Sequence, residues 1–231
     1  MRLKYRSDQK EYLDEDGIET KDLFRNLKEL DVINALLGGY NASRKGFLRL
    51  LNEKKISTVL DIGFGGGDSI KLLSDLAGKR KKDVFFYGVD LKQDCINYAS
   101  KNLSAILNKE LLCCDYRAIS SELLKKIDLI HCSLFLHHLN NEEIIGLFKF
   151  ARANNCIILA NDIHRHSFAY YSIKWLTALF SKSYLVKNDA AVSVTRGFRK
   201  KELLALLAES GYKEYSVTWS WAFRYIIIAE A

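Results

Sequence analysis

Val59-Leu60-Asp61-Ile62-Gly63-Phe64-Gly65-Gly66-Gly67-Asp68 runs from an apolar strand straight into a glycine-rich turn. Glycines let backbone N–H groups come close to a ligand and accept positive φ, and the helix that follows turns its partly positive end toward it. Such loops commonly hold phosphates, yet this one has an aspartate on each side. In the G-x-G-x-x-G register from Gly63, the third small residue falls on Asp68. Two carboxylates within about 4 to 8 Å of a pyrophosphate repel it by kilocalories in a partly dehydrated crevice. The stretch therefore favours a ligand that is cationic and carries no phosphate.

Outward from this turn, short apolar runs alternate with amphipathic ones. Residues 57–63, 84–90, 110–115, 127–133 and 155–162 read as buried strands, with helical segments near 67–78, 92–107 and 141–153. That alternation predicts a doubly wound α/β fold, a parallel sheet covered on both faces. Residues 1–55 read as a helical extension. Leu23, Phe24, Leu27, Leu30, Ile33 and Leu37 form one stripe that ends at Gly38-Gly39, and a second helix starts at Tyr40. Residues 56–231 form the main domain, with an insertion at 163–196, an amphipathic segment and two final strands close enough for an antiparallel pair. Strand ends in such sheets face one crevice, so Gly63 to Gly67, Asp90, Asp115, the segment from Cys132, and Asp162 to His166 should converge there.

The chain has 231 residues, 48% hydrophobic and 12% aromatic, enough for one full core. No segment is apolar for the roughly 18 residues a spanning helix needs, which predicts a cytoplasmic protein with no membrane among its partners. Five cysteines without C-x-x-C spacing read as reduced core thiols rather than a zinc site. The formal charge of +7 raises nucleic acid as a partner. However, Lys54-Lys55, Lys79-Arg80-Lys81-Lys82 and Lys125-Lys126 all precede strands, at the sheet edge opposite the crevice, which disfavours it. Arg165, Lys174, Lys182, Lys187 and Arg196 lie nearer the crevice and leave some selectivity for an anionic or phenolate acceptor open.

VLDIGFGGGD resembles the first motif of class I S-adenosylmethionine-dependent methyltransferases. The later pieces are similar in order: Asp90 resembles the acid that takes the ribose hydroxyls, and Asp115-Tyr116 the pair that reads adenine. HCSLFLHHL resembles the fourth motif of the small-molecule branch, which includes quinone-biosynthesis enzymes. At whole-chain level, the helical extension ending INALLGG and the segment NDIHRH are similar to bacterial methyltransferases of polyketide and quinone pathways. The resemblance implies a Rossmann-like seven-stranded sheet, mostly parallel with an antiparallel C-terminal hairpin. It implies S-adenosylmethionine as cofactor, held by Asp61, Gly63, Gly65, Gly67, Asp90, Leu91, Asp115, Tyr116 and Cys132. It also implies a small-molecule acceptor; a homodimer stays open.

The chain contains no proline, so neither the D/N-P-P-Y motif of nucleic-acid amino-methyltransferases nor a Pro-Cys nucleophile motif can exist in it. The strand-four end has no acid and strand five ends Asn161-Asp162, unlike metal-assisted catechol enzymes, so no metal is expected. The expected reaction is O-methylation of a phenolic, quinol or polyketide-derived acceptor, with C-methylation open. Its base would be a histidine, His164 or His166, and Tyr170, Tyr171 and Trp175 of an aromatic cap would bind the acceptor. The competing expectations are an RNA-directed methyltransferase and a catalytically idle relative that only binds the cofactor.

Overall fold

The structure is a computed structural model that describes residues 3–15 and 17–230. Five parallel strands form first: β1 (Thr58–Ile62), β2 (Phe85–Asp90), β3 (Lys109–Cys113), β4 (Leu129–Ser133) and β5 (Ile157–Ile163). The hairpin of β6 (Glu214–Ser220) and β7 (Arg224–Glu230) completes a seven-stranded sheet of order β3-β2-β1-β4-β5-β7-β6. β7 runs antiparallel to both β5 and β6. The chain winds outward from β1 through β2 to β3, then crosses to β4 on the other side of β1. A crevice opens at that reversal, where ligands of such sheets bind. The fold is the doubly wound, seven-stranded sheet with an antiparallel terminal hairpin that the sequence implies.

Alternation along the strands fills two layers. Leu60 and Ile62 join Ile130, Ile158 and Ala160 on one face, while Val59, Leu129 and Leu159 point to the other. All are at most 2% exposed. At about 1.5 to 3 kcal/mol for each fully buried large apolar side chain, these central strands contribute much of the core's driving force.

The helices are α1 (Thr20–Leu36), α2 (Tyr40–Glu53), α3 (Asp68–Lys79), α4 (Gln93–Asn102), α5 (Ser121–Leu124), α6 (Asn141–Ala153), α7 (Ser167–Phe180), α8 (Tyr184–Arg196) and α9 (Lys200–Glu209). α6 starts on a capping box: Asn140 Oδ1 accepts from the Glu143 N–H, and the Glu143 carboxylate accepts from the Asn140 N–H. α4 stops earlier than its periodicity suggests, because the chain turns at Leu103 and Ile106 N–H bonds back to the Leu103 carbonyl.

Two expectations change. Only part of the α1 stripe is core: Leu23 and Leu27 are buried, but Leu30, Ile33 and Leu37 line a cavity. Periodicity marks an apolar face without telling a packed face from one turned toward a ligand. All five cysteines are free, and Cys95, Cys132 and Cys156 are buried as expected. Cys113 is exposed and Cys114 partly so, because β3 is the edge of the sheet. The basic clusters at 54–55, 79–82 and 125–126 are solvent-exposed at the amino ends of strands.

Candidate active site

At the carboxyl ends of β1 to β4 lies a cavity of about 980 Å³, closed from above by the Glu11–Asp14 segment, α1, α7 and α8. Its floor is the glycine loop. Gly63 and Gly65 have φ of +68° and +55°, conformations that side chains rarely adopt. A Cβ on Gly63 would lie 2.3 Å from the Phe135 ring, whereas one on Gly65 would meet only Leu27, at 3.6 Å. Gly65 is thus glycine for its backbone conformation, and its surface is bare toward the cavity.

Asp90 holds this loop in place. Its Oδ2 accepts from Gly65 N–H at 3.0 Å and its Oδ1 from Lys92 N–H at 3.0 Å. Burial pushes the carboxyl upward and these backbone bonds oppose the shift. Lys92 is the N-cap residue of α4.

Across the loop, Asp68 opens α3, with its Oδ1 accepting from Asn102 Nδ2 at 2.9 Å. Burial, and then the neighbouring Asp31, push Asp68 up to about 6. Asp31 in turn accepts from the Tyr40 hydroxyl at 2.6 Å. Asp31, Asp68 and Tyr40 all line the cavity, which makes this end electronegative. Asn26 lines it too; it is 1% exposed, and neither its amide nitrogen nor its oxygen has a hydrogen-bond partner among the described residues.

Leu91, Asp115 and Tyr116 also border the cavity. Leu91 is exposed. Asp115 accepts from Arg117 N–H and from its guanidinium, at 2.9 and 2.5 Å, which lowers its carboxyl. Tyr116 packs edge-on against Phe150. Asp61, Gly67 and Cys132 are not part of the lining. Asp61 lies beneath it, its Oδ1 2.7 Å from His131 Nδ1, and His131 Nε2 is 2.9 Å from Ser43 Oγ. This buried Asp61–His131–Ser43 chain ties β1, β4 and α2 together under the glycine loop.

His137 and His138, in the single turn after β4, also line the cavity. His137 Nδ1 is 2.8 Å from Asp162 Oδ1, and its Nε2 is 3.5 Å from Glu11 Oε1. Burial pulls this imidazole down, but Asp162 and Glu11 outweigh it and raise it to about 9. His138 Nδ1 is 2.9 Å from Asp14 Oδ1. Ser193 Oγ donates to Glu11 at 2.7 Å. Arg196 donates to the carbonyls of Gln9, His137 and His138 and so clamps the N-terminal segment onto this turn.

Ligand atoms of Glu11, His137 and His138 lie within 4.8 Å of one another, a spacing a divalent cation could use. Glu11 is also bonded by Ser193, His137 by Asp162 and His138 by Asp14.

The insertion residues lie elsewhere. His164 and His166 do not line the cavity; His166 stacks on Phe223, and its Nδ1 accepts from the Phe168 N–H as the cap of α7. Burial and nearby cations lower His164, whose Nδ1 is buried without a partner among the described residues. Tyr170, Tyr171 and Trp175 are absent from the lining as well. α7 presents Phe168, Ala169, Ser172, Ile173 and Leu176 to the cavity instead, while Tyr171 and Trp175 are exposed. A run of aromatic residues on a helix does not reveal which face turns inward. Arg165 and Arg196 are buried ties to backbone carbonyls, and both were candidates for an acceptor's charge. Sequence reasoning passed over Glu11, Asp14, Asn26 and Asp31, for which no local motif exists. HCSLFLHHL was the one available signal for His137 and His138.

Residues 59–155 match a family model described as a methyltransferase domain. No curated protein sequence matches the chain. Among solved structures, a SAM-dependent methyltransferase from Aquifex aeolicus superposes with a TM-score of 0.62 at 16% identity, over 92% of this chain and 98% of that one. The plantazolicin methyltransferase BpumL, in complex with a pentazolic desmethylPZN analog and SAH, superposes with a TM-score of 0.64 at 16% identity, over 91% and 94%. The CMeT domain of the citrinin polyketide synthase does so with 0.57 at 13% identity, over 77% of this chain and 47% of that one. At such identities the likeness speaks for the fold. The residues here suit a cationic nucleoside on their own geometry: an open glycine backbone, an electronegative end, and an unpartnered buried amide facing the cavity.

Proposed function

We propose that this chain, which carries a methyltransferase domain of the class I S-adenosylmethionine-dependent type, methylates a hydroxyl of a small aromatic acceptor. The observation that carries the reading is the shared lining of one cavity. The glycine loop with Asp68, Asp90, Asp31 and Asn26 lines the same cavity as His137, His138 and the apolar face of α7. Bound over the glycine loop, S-adenosylmethionine supplies an electrophilic methyl group on a sulfonium, open to in-line displacement.

The protein's own residues divide the remaining work. Asp90 is placed for the ribose hydroxyls, Asp115 and Tyr116 for the base, and the Asp68–Asp31 side for the ammonium. Asp61 supports the loop from below. α1, α7 and α8 cover the acceptor and exclude water, which lets alignment supply much of the rate.

A phenol with a pKa near 10 costs about 4 kcal/mol to ionise at neutral pH. One cavity group offsets that. His138, its Nδ1 fixed on Asp14, accepts the phenolic proton. His137, held protonated between Asp162 and Glu11, gives both ring N–H groups to those carboxylates and fixes the turn that carries His138. His164 and His166, expected in this role from sequence, lie outside the lining, so the proposal places the base on His138. A carbon acid acidified by neighbouring carbonyls would use the same base, which keeps C-methylation as the second reaction.

Calorimetric titration with S-adenosylhomocysteine, followed by a labelled-methyl assay over phenols, quinols and polyketide-derived aromatics, tests this. Micromolar binding and label on one of these acceptors is the expected result. Binding with turnover only on added RNA would overturn the acceptor class, and no binding at all would overturn the whole reading.

A further inference from the structure

The wall that covers the cavity has a second face. Phe168, Tyr171, Trp175 and Leu179 follow one another at helical spacing along α7, and all are more than half exposed. Phe180, 78% exposed, continues the stripe at the end of the helix. The β6–β7 turn extends it: the Phe168 ring lies 5.9 Å from Phe223, Phe223 lies 5.8 Å from Trp221, and Trp221 lies 6.4 Å from Trp219. Both tryptophans are about half exposed, at 59% and 47%. The end of α1 abuts the same turn, since a Cβ on Gly38 would sit 3.8 Å from the Trp221 carbonyl, and Leu36 and Leu37 beside it are exposed.

This patch surrounds the cavity mouth. Phe168, Leu176, Leu37 and Trp221 are exposed and also belong to the lining. The charges on the α7 stripe and the β6–β7 turn are basic, while Asp31 at the cavity accepts from the Tyr40 hydroxyl. Residues 164–187, 32–43 and 218–224 contain no Asp or Glu, and Lys174, Lys182 and Lys187 are exposed within the first of these. Glu29, the acid that reaches this edge, is occupied by the Ser181 hydroxyl and by the N–H groups of Lys182 and Ser183.

From these observations we infer that the α7 stripe and the β6–β7 turn dock the protein on an anionic lipid surface, with the cavity mouth opening onto the apolar side. Trp, Tyr and Phe settle at the headgroup boundary, and lysines add attraction to anionic headgroups. No helix of the described residues is long and apolar enough to cross a membrane, and docking in the interface requires none. A lipophilic acceptor would then enter the cavity from the bilayer without crossing water. This last step rests on the proposed function, but the docking itself does not.

The test is sedimentation of the full chain with sucrose-loaded vesicles of phosphatidylcholine alone or of phosphatidylcholine mixed with phosphatidylglycerol, with no acceptor present. The expected result is pelleting with the mixed vesicles, a blue shift of tryptophan emission, and release by high salt. The double variant Leu179→Glu/Phe180→Glu should reduce partitioning about tenfold or more, and Lys174→Glu about fivefold. Unchanged S-adenosylhomocysteine binding in these variants shows that they remain folded. Failure of that titration in the wild type counts against the proposed function and leaves the vesicle result standing. Wild-type protein that stays in the supernatant with both vesicle types overturns docking. So does a concentration-dependent dimer that the Leu179→Glu/Phe180→Glu variant abolishes, because a second copy then covers the patch.

Discussion

His137 Nδ1 lies 2.8 Å from Asp162 Oδ1, and both residues are almost fully buried at the end of adjacent strands. Glu11, from the N-terminal segment, meets the other ring nitrogen at 3.5 Å. A protonated imidazole between two carboxylates thus ties that segment to the sheet, alongside the Arg196 bond to the Gln9 carbonyl and the Asp189 carboxylate that accepts from Tyr12 and Leu13 N–H.

This junction makes stability depend on pH in a defined window. His137 rises from 6.5 to about 9 on folding. A raised histidine contributes stability fully below 6.5 and loses it as pH rises through about 9. The contribution is up to about 3 kcal/mol, equivalent to roughly 5 to 10 °C in melting temperature for a chain of this size. Calorimetric scans of the wild type should show melting temperature falling between pH 6.5 and 9.5, and His137→Gln should flatten that slope. Parallel slopes for the two proteins would mean that His137 is not charged in the fold.

The proposed division between His138 and the insertion histidines is open to a direct comparison. His138→Ala should lower kcat by about a hundredfold with a phenolic acceptor, the usual scale for loss of a general base. Asp14→Asn should lower it less, since it leaves the ring but removes its anchor. His164→Ala should stay within a few fold. Equal losses from His164→Ala and His138→Ala in a kcat and KM assay would reject the assignment.

The legible part of this molecule is the part encoded locally. VLDIGFGGGD announced β1, the loop and α3 because an apolar run, four glycines and a helix start lie within ten residues, and Asp90 and Asp115 follow at the ends of the next strands. What was hidden depends on contacts far apart in sequence. Glu11 and His137 are joined across the whole N-terminal half of the chain, and neither has a neighbouring motif that specifies the other. Asp61 was readable as an acid beside the loop but not as the partner of His131, a histidine inside an otherwise apolar strand. The aromatic segment of the insertion was visible, yet α7 turns Ser172 and Ile173 inward and Trp175 outward. Composition identifies a helix as apolar on two sides without telling which side meets the ligand.

Gly65 separates a conformational demand from a packing one. Its φ of +55° disfavours any β-branched side chain, and the space in front of it is the cavity itself. Gly65→Val should cost about 1 to 2 kcal/mol of stability from the backbone alone. It should also abolish S-adenosylhomocysteine binding in calorimetry. A variant that melts lower but binds normally would show that the loop backbone does not face the nucleoside.

Asp68 offers a test in which stability and binding move in opposite directions. Its carboxyl rises from 3.8 to about 6, first through burial and then through Asp31. An acid raised on folding binds more protons in the folded state than in the unfolded one between these values, so its charge becomes a growing cost as pH climbs from about 4 to 6, and a constant one above. Asp68→Asn keeps an oxygen for the Asn102 amide at 2.9 Å while removing the charge. Without ligand, the variant should therefore melt higher than wild type at pH 8, by about 2 kcal/mol of stability, and equal to it near pH 4. If the electronegative end receives an ammonium group, the same variant should bind S-adenosylhomocysteine about tenfold more weakly at pH 8, the scale of one lost charge-assisted hydrogen bond. Unchanged affinity alongside the stability gain would assign Asp68 to the loop's folding alone and move the ammonium site toward Asn26.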